Sequence, residues 1–404
     1  MLSVNEARER ILSHFQKTAT ESISLVASAN RVLAVDIISD SDFPSFDNSS
    51  MDGFAIRAED SSASLTTLRV VADIPAGTSP TVTLKSGEAA RITTGAQILQ
   101  GSNAVIPVED TNLNHHQVGS KIPETISFEK KIKAGENIRL KGTDIQSGQV
   151  VLQKGRLLKP QDVGLLATLG VANVEVYKKP RVALLSSGDE LLDINAPLEE
   201  GKIRDSNSYT LASLLENANV EVMRLGVAKD SREAVTKLFE QAVNEKVDLI
   251  LSSAGVSVGA YDFIKEVIES NGKMDFWKVN MRPGKPLAFG SYRSINFIGL
   301  PGNPVSAFVG FEVFVRPVLE RMSGVGKGIR QTVKVRSEKE IESDGRESYL
   351  RAKIRTEDGV QIASLTGHQG SGNLLSLVQA DALLIIPAGV KCVPAGQEVD
   401  AFLL

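Results

Sequence analysis

The sequence predicts a multidomain chain of α/β plus β class. It has a central α/β domain with a mostly parallel sheet, a β-rich inserted domain ahead of it, and a small C-terminal β barrel. Three observations predict this. From 180 to 325, β-rich runs alternate with helical stretches at roughly 25–50 residue intervals. From 65 to 138 the chain reads as short β segments broken by Gly, Pro and Asn turns. From 327 to 404 β patterning returns without a long helix. The expected boundaries are 1–45 with 139–178 for an N-terminal mixed α/β linker domain, 46–138 for the insertion, 179–326 for the α/β domain and 327–404 for the barrel.

The elements follow in order. Val4, Ala7, Ile11, Leu12 and Phe15 fall at helical spacing, so the first residues read as an amphipathic helix. Charged residues interrupt this segment before any apolar run, so it is not read as a signal peptide. LRVVADI, TVTLKSGEAARIT, NAVIPVED, HHQVGSKI and ETISFEKKI supply the inserted strands. Pro160 opens a short helix, PQDVGLLATLG, that Gly170 closes. In the α/β domain RVALLSSGDELL, VEVMRLGVA, VDLILSSAGVS, WKVNMRPGKPLAFG and NFIGLPGNPVS read as strands, apolar on both faces as buried parallel strands are. SNSYTLASLLENA, SREAVTKLFEQAVNEK, YDFIKEVIESNG and PVSAFVGFEVFVRPVLERMSG read as helices. QTVKVRSE, SYLRAKIR, VQIASL, DALLIIP and QEVDAFLL make the final β domain.

Composition narrows the function. The 404 residues carry 45 Lys plus Arg against 49 Asp plus Glu, a net charge of −4, which gives no bulk attraction to nucleic acid or anionic lipid. No apolar stretch reaches the length of a membrane span, and a cytoplasmic protein is expected. Cys392 is the single Cys, and His14, His115, His116 and His368 are scattered, which excludes an intrachain disulfide framework, the usual zinc spacings and cysteine-held Fe–S clusters. A metal handled by this chain therefore meets mainly oxygen ligands. It is a hard cation, or it arrives as an oxyanion.

The chemistry concentrates in loops after the α/β strands. SSGDE carries Ser187, Gly188, Asp189 and Glu190; SSAGVSVGAYD carries Ser252, Ser253, Gly255, Val256, Ser257 and Asp262; LPGNPVS carries Pro301, Gly302, Asn303, Pro304 and Ser306. Ligands of open α/β sheets bind outside the carboxyl ends of the strands, where glycines let backbone N–H groups approach an anion. These loops point to a phosphate-containing or otherwise anionic ligand. They lack the P-loop and dinucleotide fingerprints, and SSGDE lacks the first glycine of a nucleophile elbow.

Glu190, Asp230 and Asp262 all fall at strand carboxyl ends, which points to a shared divalent cation such as Mg²⁺. A helix N-cap is the competing reading for Asp230 and Asp262, and also for Asp205 in IRDSN. KVNMRPGKP places Lys278, Arg282 and Lys285 about a Pro-Gly turn, where anion binding outweighs a merely solvated face. In the front of the chain DNSSMDGFA, RITTGA and RLKGTD are polar motifs without a packing rationale, although turn chemistry is the bland alternative.

DNSSMDGFA, RITTGA, KGTD, SSGDEL, IRDSN, SSAGVSVGAYD, MRPGKP and LPGNPVS, in this order, resemble the MoeA-type molybdopterin molybdenumtransferases, a family that includes the gephyrin E domain. The resemblance covers essentially the whole chain. It implies insertion of molybdenum from molybdate into adenylyl-molybdopterin with release of AMP, by a Mg²⁺-dependent enzyme. It also implies a MogA-like central domain and an elongated homodimer of four-domain subunits. The cleft then lies between that domain of one subunit and the front motifs of the other. Carried over, Asp52, Thr94 and Asp144 face the cleft. Glu190, Asp230 and Asp262 surround metal or substrate, Lys278 and Lys285 hold anionic groups, and Pro301 and Pro304 belong to the LPGNP loop. Arg282 stands where the family often has Lys; it keeps the charge and adds a planar fork.

Molybdopterin adenylyltransferase, apo-molybdoenzymes and cofactor carriers are the implied partners, with no nucleic acid and no membrane. Two other readings remain on the sequence: an adenylyltransferase-like enzyme built on the same α/β domain, and a non-enzymatic scaffold on the same fold.

Overall fold

The computed structural model describes residues 1–113, 121–254, 263–325 and 332–404. They form two compact units. One comprises Met1–Val35, Lys154–Gly164 and Ala172–Leu404; the other comprises Asp36–Gln153 and Leu165–Val171. Each is described by itself.

The first unit opens with α1 (Val4–Ser13). Ser3 caps it: its hydroxyl accepts from the Glu6 N–H, and the Glu6 carboxylate accepts the Ser3 N–H at 2.8 Å. Val4, Ala7, Ile11 and Phe15 are buried, as the helical period predicts.

The second unit is built on five strands, β1 (Gly53–Ile56), β2 (Thr66–Ile74), β3 (Glu88–Ile92), β4 (Ala104–Pro107) and β5 (Thr125–Phe128). Their order is β4-β1-β3-β2-β5, with only the β2–β3 pair parallel. Phe54, Ile106 and Phe128 fill one face, and Ala55, Ile92 and Val105 the other. The expected strand TVTLKSGEAARIT is shorter than the sequence pattern: only Glu88–Ile92 joins the sheet. Gly87, at φ +79°, turns the chain just before it, and the Glu88 carboxylate accepts the Lys85 N–H at 3.0 Å. Most of HHQVGSKI lies outside the described residues.

Helix α2 (Pro160–Thr168) begins at Pro160 as expected. The buried Asp162 accepts the Lys159 N–H and an Arg156 guanidinium N–H, each at 2.9 Å. Thr20–Ser24 pairs antiparallel with Asn173–Tyr177 in the first unit.

The α/β sheet of that unit contains β6 (Arg181–Ser187), β7 (Glu221–Ala228), β8 (Leu249–Ser253), β9 (Gly272–Lys278), β11 (Pro286–Tyr292) and β12 (Ile295–Leu300). The short β10 (Met281–Arg282) belongs elsewhere. The order is β7-β6-β8-β12-β11-β9, parallel from β7 to β12 and antiparallel at the last two pairs. Val182, Leu184, Leu251 and Leu300 pack toward α1, α3 (Ser206–Asn217), α6 (Pro304–Gly310) and α7 (Arg316–Met322). Ala183, Leu185, Ile250 and Phe297 pack toward α4 (Arg232–Asn244) and α5 (Phe263–Asn271). The inner strands are buried on both faces, whereas β7 is half exposed because it is a sheet edge.

The run WKVNMRPGKPLAFG divides into β9, β10 and β11: Pro283 has no N–H to give, and Gly284 adopts φ +102°. The last long helix contains a π turn at Phe311–Val315. Pro317 follows it, and the wider turn accommodates a residue that supplies no N–H.

The C-terminal strands are β13 (Thr332–Ser337), β14 (Glu347–Glu357), β15 (Val360–Leu365), β16 (Ala382–Ile386) and β17 (Glu398–Leu403). The ring β14-β15-β13-β17-β16 closes through a β14–β16 pairing, so this is a five-stranded barrel. β10 adds to it, parallel to β14. Among the described residues no helix is long and apolar enough to cross a membrane.

Candidate functional site

The parallel strands β6, β7, β8 and β12 release their loops at one edge of the sheet. Two antiparallel reversals return β9 to the same direction, so Lys278 and the KVNMRPGKP turn emerge there too.

After β6, Gly188 stands at φ +151°, and a Cβ at this position would overlap the Glu190 carboxylate. The Ser187 hydroxyl donates to Asp230 Oδ1 at 3.1 Å, and the Asp189 N–H donates to Asp230 Oδ2 at 3.3 Å. The Asp230 N–H returns to Asp189 Oδ1 at 3.2 Å, so the loops after β6 and β7 are locked together. Asp230 does not cap α4. Ser231 does, its hydroxyl accepting from the Ala234 N–H at 3.2 Å. The cap reading holds for Asp205, which accepts the Ser208 N–H at 3.0 Å at the start of α3. Lys202, which sequence reasoning missed, donates its ammonium to the Asp189 carbonyl.

Ser252 and Ser253 end β8 fully buried. Asn207 ties this loop to LPGNP: its amide nitrogen donates to Ser253 Oγ and to the Gly302 carbonyl, both at 2.7 Å. Pro301 is buried, Gly302 and Asn303 are exposed, and Pro304 starts α6 with Ser306 buried behind it. The Val279 N–H donates to the Lys285 carbonyl at 3.0 Å and closes the basic turn. Lys278 and Lys285 are exposed and make no ion pair among the described residues.

The barrel contributes a cation that sequence reasoning missed. Arg351 on β14 is fully buried, yet no carboxylate pairs with it among the described residues. Its Nε donates to Ser376 Oγ at 3.0 Å, and Nη2 to the Gly370 and His368 carbonyls at 3.0 and 3.3 Å, while Nη1 has no partner among the described residues. Burial first, and the Arg282 charge second, lower its pKa from the ordinary arginine value. The loop that holds it is seated at α6, because the Val305 N–H donates to the Ser371 carbonyl at 3.0 Å. A guanidinium buried without a counter-charge is costly unless an anion completes it. The available signal was an arginine inside the buried run of SYLRAKIR, followed by the glycine-rich TGHQGSGN.

The second unit assembles the front motifs. Asp52 Oδ1 accepts both the N–H and the hydroxyl of Thr94, at 2.6 and 3.0 Å. Gly53 allows this, since a Cβ there would overlap the Ile106 carbonyl of β4. The Gly95 N–H donates to the Ser49 carbonyl at 2.8 Å, joining RITTGA to DNSSMDGFA. Asn48 pairs with Arg139, Arg139 forms an ion pair with Asp144, and the Lys141 N–H donates to Asp47 at 2.7 Å, which brings in RLKGTD. The motifs without a packing rationale are thus one hydrogen-bonded cluster, with Asp52, Thr94 and Asp144 exposed on it.

Gly255, Val256, Ser257 and Asp262 lie outside the described residues. Among the described residues no group of three His, Cys, Asp or Glu is arranged to hold a metal. Glu190 and Asp230 follow β6 and β7 and carry oxygen donors, the chemistry a hard cation takes; both Asp230 oxygens are engaged by Ser187 and the Asp189 N–H, and the Glu190 carboxylate has no partner among the described residues.

The loops at the strand ends, the basic turn and the buried guanidinium define an α/β protein equipped to handle an anionic ligand. Residues 2–170 match the MoeA N-terminal region (domain I and II), 183–321 the probable molybdopterin binding domain, and 334–404 the MoeA C-terminal region (domain IV). A molybdopterin molybdenumtransferase of Haemophilus influenzae is 43% identical, over 80% of this chain and 78% of its own length. One from Nostoc is 38% identical, over 94% and 88%. A crystal structure of the molybdopterin biosynthesis MoeA protein of Pyrococcus horikoshii superposes with TM-score 0.82 at 32% identity, covering 100% of both chains. The chain belongs to the MoeA family of molybdopterin molybdenumtransferases.

Proposed function

We propose that this chain transfers molybdenum from molybdate to adenylyl-molybdopterin and releases AMP. The observation that carries the reading is one sheet edge bearing both signs of charge. Asp189, Glu190 and Asp230 lie on its β6 and β7 loops, and Lys278, Arg282 and Lys285 on its basic turn, while Arg351 is held by the loop bonded to α6. The cations suit an oxyanion and a phosphorylated substrate, and the substrate's dithiolene brings its own sulfur, so no cysteine ligand is needed. Catalysis then rests on positioning and electrostatics, with no protein nucleophile.

Glu190, Asp230 and Asp262 would hold Mg²⁺, which supplies charge neutralisation at the adenylate phosphate. Around it the protein's own groups act on the substrates. Lys278, Lys285, Arg282 and Arg351 hold the anions, and the Asp189–Asp230 lock fixes the carboxylates in place.

The Asp52–Thr94 cluster completes the site in a homodimer, each front unit serving its partner's α/β domain. Mixing Asp52→Ala and Asp262→Ala chains should therefore restore part of the activity, and verified heterodimers without activity would refute the shared site.

The central test incubates the protein with adenylyl-molybdopterin, molybdate and Mg²⁺. AMP release that depends on molybdate and activates an apo-molybdoenzyme is expected. Absence of AMP release overturns the proposal, and adenylylation of molybdopterin by ATP without molybdate would assign the preceding step instead.

A further inference from the structure

The basic turn is gripped by the barrel. β10 lies parallel to β14, with Met281 opposite Glu347 and Arg282 opposite Ser348. Just ahead of β14, Asp344 faces Arg282 Nη1 at 3.7 Å. The same carboxylate is already engaged by Arg346, whose Nε and Nη2 donate to Oδ2 at 3.0 and 2.5 Å. Arg346 Nη1 also donates to the Met281 carbonyl at 3.2 Å, so it holds the turn as well as the acid. The two arginines hold Asp344 below the usual carboxylate range, Arg346 more strongly than Arg282. It therefore carries its charge throughout the neutral range.

We infer that Asp344 sets the oxyanion affinity of the site by competing for Arg282. The inference rests on the reading that Arg282 binds substrate anion. Arg346 takes most of the carboxylate's hydrogen-bonding capacity, which leaves Arg282 loosely held beyond ordinary hydrogen-bond distance and free to turn to an incoming anion. Asp344 is a positioning residue in this scheme and does not touch the substrate. Lysine at position 282, a single-point ammonium, would feel the same carboxylate without the fork that lets Arg282 face two anions at once.

The prediction has opposite signs for its two partners. Asp344→Asn should lower the KM for molybdate, and the Kd for molybdate or tungstate, roughly two- to fivefold at low ionic strength, as expected for a partly exposed pair. kcat should stay within about twofold, and the gain should shrink in high salt. Arg346→Gln should raise KM by a similar factor, because Asp344 is then left to Arg282.

The experiment uses the full-length protein, calorimetric titration with molybdate, and steady-state AMP release. Asp344→Asn is repeated in an Arg282→Gln background, where its effect should vanish. The inference is overturned if Asp344→Asn leaves KM unchanged or raises it, if kcat alone falls, or if the effect persists without Arg282. Wild-type protein that releases no AMP would instead overturn the proposed function.

Discussion

Asp230 and Ser231 are adjacent, and the structure gives them different work. Ser231 caps α4 through one hydrogen bond of 3.2 Å, while Asp230 spans the loops after β6 and β7. Replacing Ser231 by Ala deletes one capping bond, which costs about 1 kcal/mol. That lowers the melting temperature by about 2–4 °C for a domain of this size and should leave activity per folded molecule unchanged. Asp230→Asn keeps the shape and an acceptor for Ser187. It removes only the charge and the weak 3.3 Å contact to the Asp189 N–H, so its stability cost should stay below about 1 kcal/mol. Losing a fixed charge at the reacting edge should lower kcat/KM by about 100-fold. Circular dichroism melts and AMP release, measured on the same preparations, separate the two effects. If Asp230→Asn melts lower than Ser231→Ala and its activity merely follows the folded fraction, Asp230 is structural and its assignment to the site is wrong.

Other perturbations test other links. Gly53→Ala drives a Cβ into the Ile106 carbonyl of the paired strand, where backbone cannot swing aside. It should cost about 2–4 kcal/mol, read as faster proteolysis of the second unit. Arg351→Met gives up bonds to Ser376, His368 and Gly370 but also relieves a buried charge, so unfolding should shift by less than about 2 kcal/mol while molybdate binding is lost. A protein that no longer folds would make Arg351 a structural keystone instead. Asp162 is held below the usual carboxylate range by its hydrogen bond to Arg156, against an opposing effect of burial. Its contribution is therefore complete above the ordinary Asp pKa of about 3.9 and lost as pH falls through the lower folded value. Melting curves of Asp162→Asn should show a shallower loss of stability on acidification than wild type.

The legible parts of the fold were those with strong local signals. The period of α1, Pro160 at the start of α2 and the alternation of strand and helix all follow from nearby residues. The loops SSGDE and LPGNP were legible because glycine reaches backbone conformations other residues avoid and proline fixes φ, and Gly188 has the positive φ that its position demands. What stayed hidden depends on pairing between distant segments. Nothing near Met281 announces that it pairs with Glu347, or that Asp344 faces Arg282. Arg351 looked like one more charge in a β segment, because its burial comes from barrel closure and from the loop at 366–373. For Asp230 the sequence left a helix cap and a site role open, and the hydrogen bonds to the β6 loop decide between them, with Ser231 capping α4 instead.

The pairing of β10 with β14 gives the C-terminal barrel a physical reason to exist. An α/β sheet alone releases acidic and glycine-rich loops at its edge, and the basic turn there has Lys278 and Lys285 exposed and without an ion pair among the described residues. The barrel grips the middle of that turn, and the loop that holds Arg351 is bonded to the first turn of α6 through the Ser371 carbonyl. It also brings Asp344 and Arg346 to Arg282. The Arg282 charge adds to burial in lowering the Arg351 pKa, and both arginines are carried by paired strands, Arg282 on β10 and Arg351 on β14. One acid and one base added beside the turn then set how strongly it attracts an anion. A chain with a single Cys and no zinc-type ligand spacing can in this way manage a metal that reaches it as an oxyanion, using charge placement where other proteins use ligands.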